Sequence, residues 1–390
     1  MTPAARTQAA IELLDGVIAA AREGGAAADT LIARYFATRR YAGSKDRRAV
    51  RELVYAAIRQ AGEVPASGRA AMLALAAGDA GIAATFDGST HGPAPIGEGE
   101  GAAPGGVMLA WLAVALEASG VTPQQQAALI DRAPLDVRVN RLLADPATLA
   151  EQLGGEPIAG LPDALRLPAG TNINPIAGQA EVQDAGSQIV SLAAGAQPGQ
   201  SVVDLCAGGG GKTLALAAAM RNEGRILATD IDRGRLSRLA PRAAKAGVTI
   251  VETRLLDPNR EAAALEDWSG TADYVLIDAP CSGTGTWRRN PEARWRLTPD
   301  RLGRFATQQR HVLEVGAPLV RPGGALVYIV CSLLDTEGAD QIDAFLADHP
   351  GWTAEPLDLP AGTPRGRGLR LDPASHGTDG FFVARLIRPC

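Results

Sequence analysis

Apolar positions repeat at two different periods along this chain. Over residues 1–130 the spacing is helical: Ile11, Leu14 and Ile18 share one face, and Val50, Leu53, Val54, Ala57 and Ile58 follow the i, i+3, i+4, i+7, i+8 rule. Residues 80–106, AGIAATFDGSTHGPAPIGEGEGAAPGG, break that pattern and read as a flexible surface loop. Helical spacing resumes in VMLAWLAVALEASG (107–120) and QQQAALIDRA (124–133). This predicts an all-helical N-terminal domain over 1–130.

The character changes near Pro134. Short strand-like and helical pieces (LDVRVNRL, then DPATLAEQLGG) run to about Gln179, too little for a catalytic domain, and predict a small α+β subdomain over 131–180. From 181 to 390 strands and helices alternate. SVVDLCAG (201–208), RILATDID (225–232), TIVETRLLD (249–257), ADYVLIDAP (272–280), ALVYIVC (325–331) and GFFVARLI (380–387) read as strands, with helical stretches between the first five. Apolar, β-branched strand cores interleaved with helices predict an α/β domain with a doubly wound, Rossmann-like parallel sheet.

Composition narrows the class. The chain has 390 residues, 46% hydrophobic and 21% charged, which suits a globular protein with ample core. Neither a secretory signal pattern nor a membrane-length apolar run is visible, so a cytoplasmic protein without membrane contact is expected. The net charge of −5 conceals two basic runs: six Arg and one Lys against one Asp over Arg34–Arg51, and seven Arg against two acids over Trp287–His311. Such runs suit nucleic-acid phosphates as well as a solvated face. The four cysteines (Cys206, Cys281, Cys331, Cys390) and four scattered histidines show no metal-ligand spacing, so no metal is expected.

Candidate chemistry sits at the strand ends. Asp204-Leu205-Cys206-Ala207 is followed by Gly208, Gly209, Gly210, Gly211, Lys212 and Thr213. A phosphate loop would need glycine where Cys206 stands, and a dinucleotide fingerprint would need glycine near Thr213, so both fail. What remains is a Gly-rich strand-to-helix turn with an acid, Asp230, ending the second strand and another, Asp257, ending the third. An acid at the second position suits a ribose diol, and one at the third can accept from an adenine amino group. Strand-end acids without a phosphate loop point to an adenosine ligand lacking phosphates and carrying a positive centre; S-adenosylmethionine fits.

The fourth strand runs into DAPCSGTGTWRRNPE (278–292), and the fifth ends in VCSLLDTEG (330–338). An amine acceptor would need no thiol, but carbon 5 of a pyrimidine is scarcely nucleophilic. It becomes so when a thiolate adds to carbon 6 while an acid holds a proton at N3, a task for which Asp278 is placed. A free cysteine is only about 3% thiolate at pH 7, so such a nucleophile wants a nearby cation or helix N-terminus, which the cofactor's sulfonium and Arg288 and Arg289 could supply. Residue chemistry leaves open whether Cys281 or Cys331 attacks. Cys206 reads as a packing residue and Cys390 as incidental, while Trp287 and Trp295 read as packing before stacking.

VVDLCAGGGGKT, LATDID, LLD, DAPCSGTGTWRRNPEARW, VCSLLDTEG and HGTDGFFVARL, in that order, resemble the RNA cytosine-C5 methyltransferases of the NOL1/NOP2/Sun type from about Pro134 to Leu386. The N-terminus, with RRYAGSKDRRAVRELVYAAIR (39–59), resembles the antitermination-factor-like RNA-binding domain fused to the bacterial 16S rRNA member. The resemblance implies a class I methyltransferase domain over 181–390, S-adenosylmethionine as cofactor, and methylation of a cytosine in RNA, with 16S rRNA ahead of tRNA or another rRNA site. It implies Cys331 as nucleophile, Cys281 as the cysteine that assists release, and Asp278 beside them. It places cofactor contacts on Cys206, Ala207, Gly208, Gly209, Gly210, Gly211, Lys212, Asp230, Asp257 and Asp278, with Lys212 touching the cofactor or Asp278. The family usually has proline where this chain has Gly209. A monomer acting on RNA is the expectation, with a noncatalytic RNA-binding ribosome-assembly factor as the rival. The arginines beyond Cys281 are expected to hold RNA phosphates.

Overall fold

The computed structural model describes all 390 residues, which divide into two compact units. One holds Met1–Arg132 together with Thr286–Thr298, and the other holds Ala133–Gly285 with Pro299–Cys390. No helix is long and apolar enough to cross a membrane.

The first unit is helical: α1 (Pro3–Glu23), α2 (Ala28–Ala37), α3 (Ser44–Gln60), α4 (Gly68–Gly78), α5 (Ala80–Ala83), α6 (Ala110–Ala118) and α7 (Pro123–Ala128). Thr2 caps α1 by accepting from the Ala5 N–H, Pro3 opens its first turn, and Gly24 ends it at φ 77°. Leu14 and Val17 of α1, Val50, Val54 and Ile58 of α3, and Met72 of α4 form one buried core. Gly68 lets α4 start against α1, since a Cβ there would lie 2.2 Å from the Ile11 carbonyl oxygen.

Residues 80–106 are not the free loop the sequence suggested. They open with α5, and Arg69 donates to the Ala94 and Pro95 carbonyls at 3.1 Å while pairing with Glu100. The N–H groups of Ala103 and Gly106 donate to the Ala70 and Gln60 carbonyls at 2.9 Å.

Thr286–Thr298, sequence neighbours of Cys281, belong to this helical unit. The fully buried Arg294 donates to the carbonyls of Ile58 (2.6 Å) and Ala61 (2.8 Å) at the end of α3. Glu292 accepts at 3.0 Å from the N–H of Ala28, the first residue of α2, whose own N-cap side chain offers no bond. A cation at a helix C-terminus and an anion at an N-terminus both oppose the helix dipole and satisfy orphan backbone groups.

The second unit begins with a small antiparallel sheet: β1 (Leu135–Val139), α8 (Pro146–Leu153), β2 (Glu156–Ile158), β3 (Leu161–Leu167) and β4 (Ala180–Val182), in spatial order β2-β3-β1-β4. Buried Asp136 on β1 receives Arg166 through two bonds, at 2.8 and 3.0 Å. The Asn140 amide joins this small sheet to the larger α/β domain by donating to the Ala246 carbonyl at 2.8 Å.

That domain comprises α9 (Ala185–Leu192), β5 (Ser201–Asp204), α10 (Gly211–Ala219), β6 (Arg225–Asp230), α11 (Arg233–Leu236), α12 (Leu239–Lys245), β7 (Val251–Leu255), α13 (Glu261–Ala264) and β8 (Ala272–Asp278). After the excursion into the helical unit come α14 (Pro299–Gly316), β9 (Val320–Val330), α15 (Ala339–Asp348), β10 (Thr353–Glu355), β11 (Thr363–Arg365), β12 (Gly368–Leu371), α16 (Pro373–His376) and β13 (Phe381–Ile387). The main sheet runs β11-β12-β13-β9-β8-β5-β6-β7, with β10 also on β13. β9, β8, β5, β6 and β7 are parallel, and β13 lies antiparallel to β9. The chain steps outward from β5 to β7, then returns to β8 on the other side of β5. That reversal opens a crevice beyond the carboxyl ends of β5 and β8. The helix between 235 and 247 is split in two by its early proline, Pro241.

Candidate active site

The strand ends that the sequence singled out lie together at one edge of the sheet in the second unit. Asp204, Asp230 and Asp278 are the last residues of β5, β6 and β8, and Cys331 follows the last residue of β9. β8 pairs Asp278 with Ile329 on β9, which brings Cys281 and Cys331, fifty positions apart in sequence, to an Sγ···Sγ distance of 3.3 Å.

The glycine turn between β5 and α10 is held from both sides. Gly208 and Gly210 take φ of 55° and 85°, open to glycine without strain. Asp230 accepts from the Gly208 N–H at 2.9 Å and from the Asp232 N–H at 2.7 Å. A Cβ at Gly211 would meet nothing within 4 Å, whereas one at Gly210 would strike Leu239. The turn is thus packed beneath and open above, a backbone cradle that suits an adenosine ligand. Arg242 of α12, which the sequence did not mark, donates to the Gly209 carbonyl and, at 2.5 Å, to Glu181 of β4. Where the family's proline would stiffen this turn, an arginine holds the glycine in place.

Beneath the turn, Asp204 is buried and accepts from the Thr213 hydroxyl at 2.6 Å. Burial, against the pull of that bond, raises its carboxyl to about 7. Cys206 packs against the apolar layer behind the sheet, and burial likewise pushes its thiol up. Asp257 lies exposed, two residues beyond the end of β7.

Lys212, in the first turn of α10, reaches Asp278 with its Nζ 2.6 Å from the carboxylate oxygen. Burial disfavours its charge, but Asp278 outweighs burial and raises the group, with Cys331 contributing in the same direction. Lys212 is therefore the cation beside the thiols. Arg288 and Arg289, which the sequence offered for that role, are counted with the helical unit, where Arg288 is buried and its carbonyl accepts from Arg59 at 3.2 Å. The expected phosphate role fails for Arg294, whose guanidinium is spent on carbonyls. Trp287 and Trp295 are buried as packing residues, and the Trp295 indole donates to the Ala61 carbonyl at 3.2 Å. A charge run cannot report whether its side chains face outward, which is why the sequence misled here.

Cys281 is half-buried against the layer behind the sheet. The hydrogen bond with Cys331, then burial, push its thiol well above the ordinary cysteine value. Below the pair lies a polar knot assembled from residues adjacent to each cysteine. Ser282 donates to the fully buried Glu337 from its N–H (2.8 Å) and its hydroxyl, and Ser332 donates from its hydroxyl at 2.5 Å. In the sequence motif Glu337 has no evident role; only its position two loops away from Ser282 reveals one.

A parallel sheet with this reversal, a glycine turn over strand-end acids and no phosphate loop define a Rossmann-like class I methyltransferase domain. The family model for 16S rRNA methyltransferase RsmB/F matches residues 191–387. A Synechocystis sp. protein named "Probable ribosomal RNA small subunit methyltransferase B" is 36% identical over 269 residues, covering 65% of this chain and 59% of that one. The ribosomal RNA small subunit methyltransferase B of Sodalis glossinidius is 35% identical over 286 residues, covering 68% and 63%. The matches thus span about six-tenths of these relatives' lengths. A solved methyltransferase homolog protein from Pyrococcus horikoshii superposes with a TM-score of 0.60 at 27% identity, covering 68% of this chain and 90% of its own. This chain belongs to the RsmB/F methyltransferase family.

Proposed function

We propose that this protein methylates carbon 5 of a cytosine in RNA, with small-subunit ribosomal RNA as substrate, using S-adenosylmethionine. The observation that carries the reading is the 3.3 Å pair of thiols from two adjacent strand ends, beside the Lys212–Asp278 ion pair. A noncatalytic RNA-binding protein has no need of either pair.

Each residue of the crevice has a separate task. The Gly208–Gly211 turn and Asp230 would hold the cofactor, which supplies an electrophilic methyl group when bound. Cys281 keeps its proton, and Lys212 lies within electrostatic reach of Cys331, so developing negative charge is better carried on the Cys331 sulfur. Cys331 thus adds to carbon 6, its thiol proton passing by way of the Asp278 carboxylate to N3, where that carboxylate, paired with Lys212, holds it while electron density gathers at carbon 5. After transfer, the carbon 5 proton leaves, its bonding electrons restore the C5–C6 double bond, the C6–S bond breaks, and the N3 proton returns to Asp278 and is lost to water. A thiol 3.3 Å from the departing sulfur is placed to give it a proton, and the Cys281 thiolate so formed takes up the carbon 5 proton. The family resemblance assigns the same roles to the two cysteines.

The test is adduct trapping. Cys281→Ala and Cys331→Ala proteins are mixed with cellular RNA and S-adenosylmethionine, denatured, and assayed for covalent protein–RNA species, and trapped RNA is sequenced. The expected result is an adduct with Cys281→Ala that disappears when Cys331 is also removed, with trapped sequence mapping to small-subunit rRNA. An adduct confined to Cys331→Ala would reverse the roles. Methylation that survives loss of both thiols would overturn the covalent reading.

A further inference from the structure

Glu337 touches no reacting atom in this scheme, yet it is the one side chain bound to the backbone or hydroxyl groups adjacent to both thiols. Its carboxylate is fully buried and accepts four hydrogen bonds. Oε1 receives the Ser282 N–H at 2.8 Å and the Gln309 amide at 3.1 Å, and Oε2 receives the hydroxyls of Ser282 and, at 2.5 Å, Ser332. The donors continue outward as a directed chain. Leu333 N–H donates to the Thr284 hydroxyl (2.9 Å), which lies 3.0 Å from the Ser332 hydroxyl, which points to Glu337. Gln309 of α14 also donates to the Pro280 carbonyl at 2.9 Å, and Tyr328 of β9 donates to the Glu337 carbonyl at 2.6 Å. Residues 280, 282, 284, 332 and 333 are therefore all fastened to one acid. Such a network is fixed in geometry because each member would otherwise be an unsatisfied buried group.

We infer that Glu337 is the positioning residue of the thiol pair: it sets the spacing of Cys281 and Cys331. The chemical meaning of that role rests on the proposed methylation chemistry; the positioning itself does not. Among the charged groups nearby, the Lys212 ammonium of α10 is paired with Asp278 of β8, and the Tyr328 phenol of β9 is spent on the Glu337 carbonyl.

The test uses the full-length protein without RNA. Phenylarsine oxide condenses with two neighbouring thiols, forming two As–S bonds with loss of one water, and per-cysteine mass spectrometry reads which thiols it shields from alkylation. In the wild type one arsenic is expected to shield Cys281 and Cys331 together. In Glu337→Gln, whose amide mismatches the converging donors, that shielding should require at least about tenfold more reagent. If Glu337→Gln does not fold, as judged by its melting transition, Ser332→Ala removes a single donor and should weaken shielding in the same direction. Shielding within about twofold of the wild type in a folded variant would overturn the inference, whatever happens to methylation. Failure of the adduct assay alongside the expected arsenic result would instead count against the covalent reading alone.

Discussion

The Nζ of Lys212 lies 2.6 Å from an Asp278 carboxylate oxygen, but the two partners are unequally placed: the lysine side chain is 9% exposed and the aspartate 34%. The ion pair thus has one end sealed under the glycine turn and one end open to the crevice. Removing either partner leaves a different residue behind, and the consequences differ.

Asp278→Ala strands a buried ammonium, which costs about 3–5 kcal/mol when uncompensated. Lys212→Met strands a carboxylate that water can reach, and about 1–2 kcal/mol is expected. Thermal melting of the two variants should therefore rank Asp278→Ala as the less stable. Both should lose methylation by at least about a hundredfold, since general acid–base groups contribute on that order.

Asp204 gives the ligand-free protein a pH dependence. Its folded-state carboxyl stands at about 7, above the ordinary aspartate value of 3.8. Between those values the folded form binds more protons than the unfolded form, so this group's contribution is fully present below 3.8 and is lost as pH rises through 7. Urea midpoints measured from about pH 4.5 to 8 should fall more steeply for the wild type than for Asp204→Asn. Parallel curves would show that Asp204 does not titrate in this window.

Arg242 should matter for cofactor affinity and little for chemistry. Arg242→Gln frees the Gly209 carbonyl and Glu181, and KM for S-adenosylmethionine is expected to rise about tenfold with kcat nearly unchanged, the pattern of lost uniform binding. Gly209→Pro in the same background should recover part of that loss, because the Gly209 N–H is not engaged with another backbone group and its φ is not positive. A fall in kcat with KM unchanged would refute the assignment.

Arg294 offers a control for RNA binding. Arg294→Leu leaves the Ile58 carbonyl without its donor and the Ala61 carbonyl with only the Trp295 indole, at a cost of about 1–3 kcal/mol by melting. Because the side chain is fully buried, the salt dependence of RNA affinity should keep its slope. An arginine that contacts phosphate would instead reduce that slope by about one when replaced. The exposed Arg40 and Arg48 of the N-terminal basic run are the residues on which to look for that change.

Sequence alone determined the local elements and the local chemistry. Periodicity marked α1, α3 and the strands β5, β6, β7, β8, β9 and β13, because apolar spacing is imposed by which face an element buries. The glycine turn and the two cysteine motifs were legible for a related reason: each is a short segment whose residue types fix its own backbone and chemistry. What tertiary structure decided was every relationship between segments. Lys212 meets Asp278 because a helix start and a strand end, sixty-six positions apart, come together across the sheet. Arg294 became a structural residue because the end of α3 offered it carbonyls. Glu337 and Arg242 acquired roles only through loops that converge in space. Burial and convergence are properties of the packed chain, and no local pattern carries them.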